Sequence, residues 1–283
     1  MRAALLQLTS SDDPEENLGV VRGRLREAAA EGAGFVLTPE VTNCVSASRT
    51  HQHSVLTHEA NDPVLAGLRE EAARAGVWLL IGSLALTTDD PDGRFANRSF
   101  LIGPEGRLVA RYDKIHMFDV AISDAETYRE SAGFRPGRRA RVAETPFGTL
   151  GLSICYDLRF PYLYRALAQA GAEILTVPAA FAQPTGRAHW RPLLQARAIE
   201  TGAWVLAPAQ TGTHAARRGK ARRTWGHSMV VSPWGEVICD GGTLPGVVQA
   251  RIDLDEVARA ESRIPSLTAD RPFTSVHPGR SVA

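Results

Sequence analysis

Long hydrophobic runs are missing from this 283-residue sequence. Nothing reaches the apolar length that crosses a bilayer, which argues against a membrane-spanning protein. The opening "MRAALLQLTS" breaks at Gln7 and soon meets Asp12 and Asp13. That is too short for a signal-peptide core and lacks a cleavage-like site, so a cytoplasmic location is expected. A charge excess is also missing: 32 Lys and Arg stand against 31 Asp and Glu, a net charge of +1. No overall field draws the chain to nucleic acid or to an anionic membrane. Cysteine is scarce. The three residues Cys44, Cys155 and Cys239 are scattered and odd in number, which excludes a disulfide framework, and they lack the paired spacing of a zinc site. At least one is expected to be a free thiol, and no metal or cofactor is expected. No Gly/Ser- or Pro-rich linker divides the chain, so residues 1–283 read as one domain.

What is present is an ordinary globular composition, 44% hydrophobic and 22% charged. Strand-like and helix-like stretches alternate, the mark of an α/β layered protein. Residues 2–8 read as a strand. Asp13-Pro14 then supplies a cap and a first-turn proline for a helix to about Gly32. "GFVLTP" (34–39) is a buried strand. Asp62-Pro63 repeats the cap before a helix that stops at Gly76, and "VWLLIGSLAL" (77–86) is the next strand. Residues 98–114 form two strands around Gly103-Pro104-Glu105-Gly106, and 115–142 looks irregular. The alternation resumes with strand 149–155, helix 161–170, strand 173–179, helix 187–201 and strand 204–210. A hairpin (227–239) and a last strand (246–254) follow.

Reactive groups in open α/β sheets collect beyond the carboxyl ends of strands. Three strands here end in such a group: "GFVLTPE" in Glu40, "LVARYDK" in Lys114 and "TLGLSIC" in Cys155. Each alone reads as structural; their coincidence is what matters. A thiol is mostly protonated at neutral pH and needs a base, which a nearby carboxylate provides. An ammonium stabilises the oxyanion of an attacked carbonyl, with the N–H of Tyr156 as a second donor. Together they suit acyl transfer.

"TPE" (38–40), "YDKIHMFD" (112–119), "RES" (129–131) and "GLSICYDLRFP" (151–161) resemble, in order, the motifs of the nitrilase (carbon–nitrogen hydrolase) superfamily. "PAAF" (178–181), "HW" (189–190), "QARAIE" (195–200) and "GHSMVVSPWGEV" (226–237) extend the resemblance over almost the whole chain. It implies a four-layer α-β-β-α sandwich, two mixed sheets flanked by helices, paired into a homodimer. It implies Glu40 as base, Lys114 as oxyanion cation, Cys155 as nucleophile and Glu130 as the second glutamate that holds the lysine. The wording is closest to the Nit subgroup. The implied reaction converts a small carboxylate-bearing amide to acid and ammonia through a thioester. Deaminated glutathione is the first candidate substrate, ahead of α-ketoglutaramate or an N-carbamoyl amino acid. An inactive scaffold is the non-enzymatic alternative.

Substrate contacts are expected from Phe181 and from Arg159, which binds a carboxylate or, equally, pins a loop or a subunit contact. His116 is expected to shape the loop around Lys114, and His189 and Trp190 to pack. Cys44 and Cys239 read as packing residues. His51, His53 and His58 read as a solvated loop, "ARRGKARR" (216–223) as an exposed loop, and the tail from about 264 as docking on a dimer partner.

Overall fold

The computed structural model describes residues 1–123 and 126–274. The first half of the chain comprises β1 (Arg2–Gln7), α1 (Pro14–Ala30), β2 (Phe35–Leu37), α2 (Arg49–Val55), α3 (Pro63–Ala75), β3 (Trp78–Leu86), β4 (Ala96–Ile102), β5 (Leu108–Asp113), β6 (Asp119–Ser123) and β7 (Glu126–Arg129). The second comprises β8 (Arg141–Thr145), β9 (Gly148–Leu152), α4 (Pro161–Gln169), β10 (Ile174–Thr176), α5 (Gln183–Thr201), β11 (Trp204–Ala207), β12 (Thr211–Thr213), β13 (Arg223–Trp225), β14 (Met229–Val231), β15 (Val237–Asp240), β16 (Gly246–Arg251) and α6 (Asp255–Arg263). The caps act as the sequence implies. Asp13 accepts the N–H groups of Glu15 and Glu16 at 3.0 and 3.3 Å, and Asp62 accepts that of Leu65 at 2.8 Å. Gly76 closes α3 in the left-handed conformation.

Two six-stranded sheets carry the fold, ordered β16-β1-β2-β3-β4-β5 and β15-β14-β11-β10-β9-β8. Each has three parallel strands at its centre and antiparallel strands outside, so both are mixed. Period-two alternation decides the layers. Ala3, Leu5, Phe35, Leu37 and Leu80 face Leu150, Leu152 and Ile174 of the other sheet. Their neighbours Ala4, Leu6, Val36, Leu79 and Ile81 pack on α1 and α3 through Val21, Leu25, Val64 and Leu68. On the far side, Leu163 and Leu167 of α4 and Leu194 and Ala198 of α5 cover the second sheet. The result is α-β-β-α, as the resemblance implies. Among the described residues no helix is long and apolar enough to cross a membrane.

Gly82 in β3 sits where the chain is tightest. A Cβ there would lie 2.0 Å from the Thr38 carbonyl oxygen and 2.5 Å from Pro178. Only glycine lets β3 approach the segments that leave β2 and β10 so closely.

Several boundaries differ from the sequence reading. The stretch 115–142 contains the β6–β7 hairpin and the start of β8. β9 ends at Leu152, so Cys155 lies in a turn beyond it rather than in the strand. Helix α5 begins at Gln183. The three histidines are not one solvated loop: His51 and His53 sit on α2, and His51 is buried with Nε2 2.8 Å from the Asp12 carbonyl. The tail segment 266–270 lies against its own α4, where Arg165 donates to Ser266 O and Gln169 to Leu267 O. Residues 275–283 of that tail lie outside the described residues.

Candidate active site

Four chain segments deliver the candidate residues to one place. Glu40 follows β2 by three residues, and the chain there is held in an unusual conformation. Val41 has φ 46° and donates its N–H to Ser83 Oγ at 2.7 Å. Lys114 directly follows β5, with its N–H on the Asn97 carbonyl at 3.0 Å. Glu130 opens a short turn after β7. Cys155 begins the turn after β9 with φ 50°, a left-handed conformation costly for a residue with a Cβ.

Asp157 holds that turn. Buried fully, it accepts the N–H of Ile154 at 2.9 Å, the N–H of His116 at 3.0 Å and the Tyr112 hydroxyl at 2.6 Å. His116 Nδ1 adds a fourth contact at 2.6 Å, so the loop after Lys114 and the Cys155 turn are tied to one carboxylate. From α5, Arg197 donates twice to the Leu158 carbonyl, at 3.0 and 2.8 Å. The Cys155 N–H bonds Pro178 O at 2.9 Å.

The charged groups interlock. Lys114 Nζ donates to Glu40 Oε1 at 2.7 Å and to Glu130 at 2.8 and 3.0 Å. Asn97 Nδ2 donates to both carboxylates, at 2.9 and 3.2 Å. Glu40 Oε2 accepts the Ala180 N–H at 3.0 Å, and Glu130 Oε2 that of Phe118 at 2.7 Å. Glu40 also lies near enough to the Cys155 thiol for each to act on the other's ionisation.

Burial and charge oppose each other here. Burial pushes the Glu40 carboxyl up, but the cations Lys114 and Arg222 outweigh it and hold Glu40 below the usual carboxylate range. Burial and the Glu40 charge push the Cys155 thiol well up, with Lys114 only partly offsetting them. Burial pulls the Lys114 ammonium down, yet Glu130 and Glu40 prevail and raise it. The resting arrangement is therefore a carboxylate, an ammonium and a neutral thiol. It can move a proton from sulfur to Glu40 as sulfur attacks, with no preformed thiolate.

A cavity of about 680 Å³ opens onto this group. Its lining includes Glu40, Lys114, Glu130, Cys155, Tyr156 and Phe181. Arg159 does not line it. Its guanidinium lies 5.3 Å over the Phe181 ring and 5.9 Å over the Tyr156 ring, both of which line the cavity, and 3.2 Å from His189 Nδ1. Trp190 packs on Phe181. Cys44 is buried at the cavity wall, and burial followed by Asp12 and Asp13 pushes its thiol up to about 12. Cys239 is half-buried.

Two residues escaped the sequence reading. Asn97 is a buried amide in β4, where Arg98 and Ser99 follow it, so its neighbours in the sequence do not set it apart. Arg222 belongs to the run 216–223 that reads as an exposed loop; the chain is exposed from Arg217 to Ala221, whereas Arg222 is half-buried, and Lys220 to Arg223 line the cavity.

A buried thiol, two carboxylates and an ammonium beyond the strand ends of an α-β-β-α sandwich define a thiol-dependent hydrolase of the nitrilase architecture. The profile of the carbon-nitrogen hydrolase family matches residues 2–261, and the chain belongs to that family. Deaminated glutathione amidase from Yersinia enterocolitica is 40% identical over 276 residues, covering 97% of this chain and 94% of that protein. The crystal structure of the C. elegans NitFhit protein superposes with a TM-score of 0.85 at 34% identity, over 95% of this chain. This chain spans 65% of that longer one. A mutant amidase from Nesterenkonia sp., with acrylamide added at its active-site cysteine, matches at TM-score 0.75 and 26% identity over 94% of this chain and 98% of that one.

Proposed function

We propose that the whole chain is one amidase domain that cleaves the C–N bond of a small carboxylate-bearing amide, with deaminated glutathione the first substrate. The observation that carries this reading is the Glu40–Lys114–Glu130 cluster against Cys155 at the floor of the cavity. The Yersinia relative's name supports the choice of substrate.

Glu40 takes the Cys155 proton as sulfur bonds to the amide carbon. Lys114 and the Tyr156 N–H stabilise the oxygen that becomes negative. The C–N bond breaks as Glu40 returns its proton to the leaving nitrogen, leaving a thioester on Cys155. Glu40 then deprotonates a water, which attacks the thioester; the C–S bond breaks, sulfur regains a proton and the acid leaves. Glu130 holds Lys114 in place. With a primary amide such as α-ketoglutaramate the leaving group is ammonia. Deaminated glutathione is a secondary amide, so its leaving group is the amine of cysteinylglycine rather than ammonia.

A homodimer in the cytoplasm completes the proposal. Ile199 and Trp234, both about half exposed, support pairing through the α5 side. The test is Cys155→Ala: release of amine or ammonia stops while the circular dichroism spectrum is kept. Turnover at the wild-type rate in that variant overturns the reading.

A further inference from the structure

We infer that Arg222 is the carboxylate anchor of the substrate site, the residue that selects amides carrying a distal carboxylate. This deepens the amidase reading and rests on it for the substrate's identity, but the anchor itself is a binding property.

Charge balance on the cavity wall is the first argument. Its carboxylates, Glu40 and Glu130, are both paired with Lys114. Four further cations line it: Arg129, Lys220, Arg222 and Arg223. Among the described residues none of these four forms an ion pair, although the Asp119 charge acts on Arg129 and that of Glu40 on Arg222, so the cavity wall carries more positive than negative charge, which favours an anionic ligand.

Position singles out one of the four. Arg129, Lys220 and Arg223 are exposed, whereas Arg222 is half-buried. Nη2 of Arg222 donates to the Ala180 carbonyl at 2.7 Å. The Ala180 N–H in turn donates to Glu40 Oε2 at 3.0 Å, so Arg222 stands one residue's span from the base. Its guanidinium lies 5.8 Å from the Tyr128 ring. Its Nε is buried with no hydrogen-bond partner, and among the described residues no carboxylate lies at ion-pair distance from it, although its charge reaches Glu40. A planar cation held at one edge, with donors left over, suits a carboxylate.

The hairpin fixes this placement. His214 N–H binds the Arg222 carbonyl at 2.9 Å, and buried His214 bridges Ser10 O and Thr224 Oγ1, both at 2.7 Å. Arg159, the other arginine suited to the task, lies outside the cavity lining.

The test reads binding without turnover. Cys155 is alkylated with iodoacetamide, its peptide is followed by mass spectrometry, and glutarate is added as protecting dicarboxylate. Glutarate protects the wild type; Arg222→Gln raises the half-protecting concentration by roughly 30-fold or more, as loss of a buried charge partner does. Arg222→Lys recovers part of the protection, and Arg159→Gln changes it little. Equal protection of wild type and Arg222→Gln, no protection of the wild type, or an equal shift in Arg159→Gln overturns the inference. Should Arg222→Gln not fold, Arg222→Lys decides: it must weaken protection by less than tenfold but measurably. A wild type that is protected by glutarate yet cleaves no amide contradicts the amidase reading alone.

Discussion

Lys114 Nζ and Glu40 Oε1 lie 2.7 Å apart, and both side chains are almost completely buried. A buried ion pair costs much desolvation and survives only when its remaining donors and acceptors are met. Here Glu130, Asn97 and the Ala180 N–H meet them. The pair leaves Glu40 ionised and Cys155 protonated, which sets the pH behaviour.

Glu40 sits below its ordinary value of 4.5 because Lys114 and Arg222 outweigh burial. A depressed carboxyl stays charged until the pH falls through its lowered value. The acid limb of kcat/KM should therefore have its midpoint below pH 4.5, measured with pH jumps short enough to keep the fold. A midpoint near 6 contradicts this.

Asn97 donates to Glu40 and Glu130 at once. Asn97→Ala removes one donor from each carboxylate, so kcat should fall by roughly 10- to 100-fold. Its acid limb should also move up in pH, because the Glu40 anion has lost a hydrogen bond. Wild-type kcat with an unmoved limb would refute the role.

Asp157 accepts from Ile154, His116 and Tyr112 in the buried turn that presents Cys155. Asp157→Ala leaves those donors unmet and should cost roughly 3 kcal/mol or more in urea unfolding. A loss under 1 kcal/mol would mean that the turn is held elsewhere.

His214 is buried between Ser10 O, which can only accept, and the Thr224 hydroxyl. Its Nδ1 therefore carries the proton, and Nε2 accepts from Thr224. Burial first, with the Arg222 charge adding, lowers it from 6.5 to about 4. The unfolded chain binds a proton at His214 between those values and the folded chain does not, so stability falls as pH drops through that window. The contribution is about 2 kcal/mol at pH 5 relative to neutral pH. Urea midpoints at pH 7.5 and 5 should differ more in wild type than in His214→Asn; parallel slopes contradict the linkage.

Much of this site was legible because its residues lie where strands end. Glu40 and Cys155 each follow an apolar run, Lys114 follows the strand LVARYD, and the motif order carried Glu130. The layer order followed from alternation, as Leu5 and Leu6 show by facing opposite sides of one sheet. Asn97 and Arg222 were not legible, because their roles depend on partners distant in sequence. Asn97 meets Glu40 across 57 positions, and Arg222 reaches Ala180 across 42. His51 was misread for the same reason, its partner Asp12 lying 39 residues away. The left-handed conformations of Val41 and Cys155 also leave no trace in composition, since neither residue is glycine.

The central claim is that Cys155 carries the acyl group. Wild-type protein mixed with deaminated glutathione, quenched in acid within milliseconds and digested, should yield the Cys155 peptide with the added mass of the α-ketoglutaryl thioester. The Cys44 and Cys239 peptides should remain unmodified. A substrate turned over with no adduct on Cys155, or with the adduct on Cys44, would contradict the account.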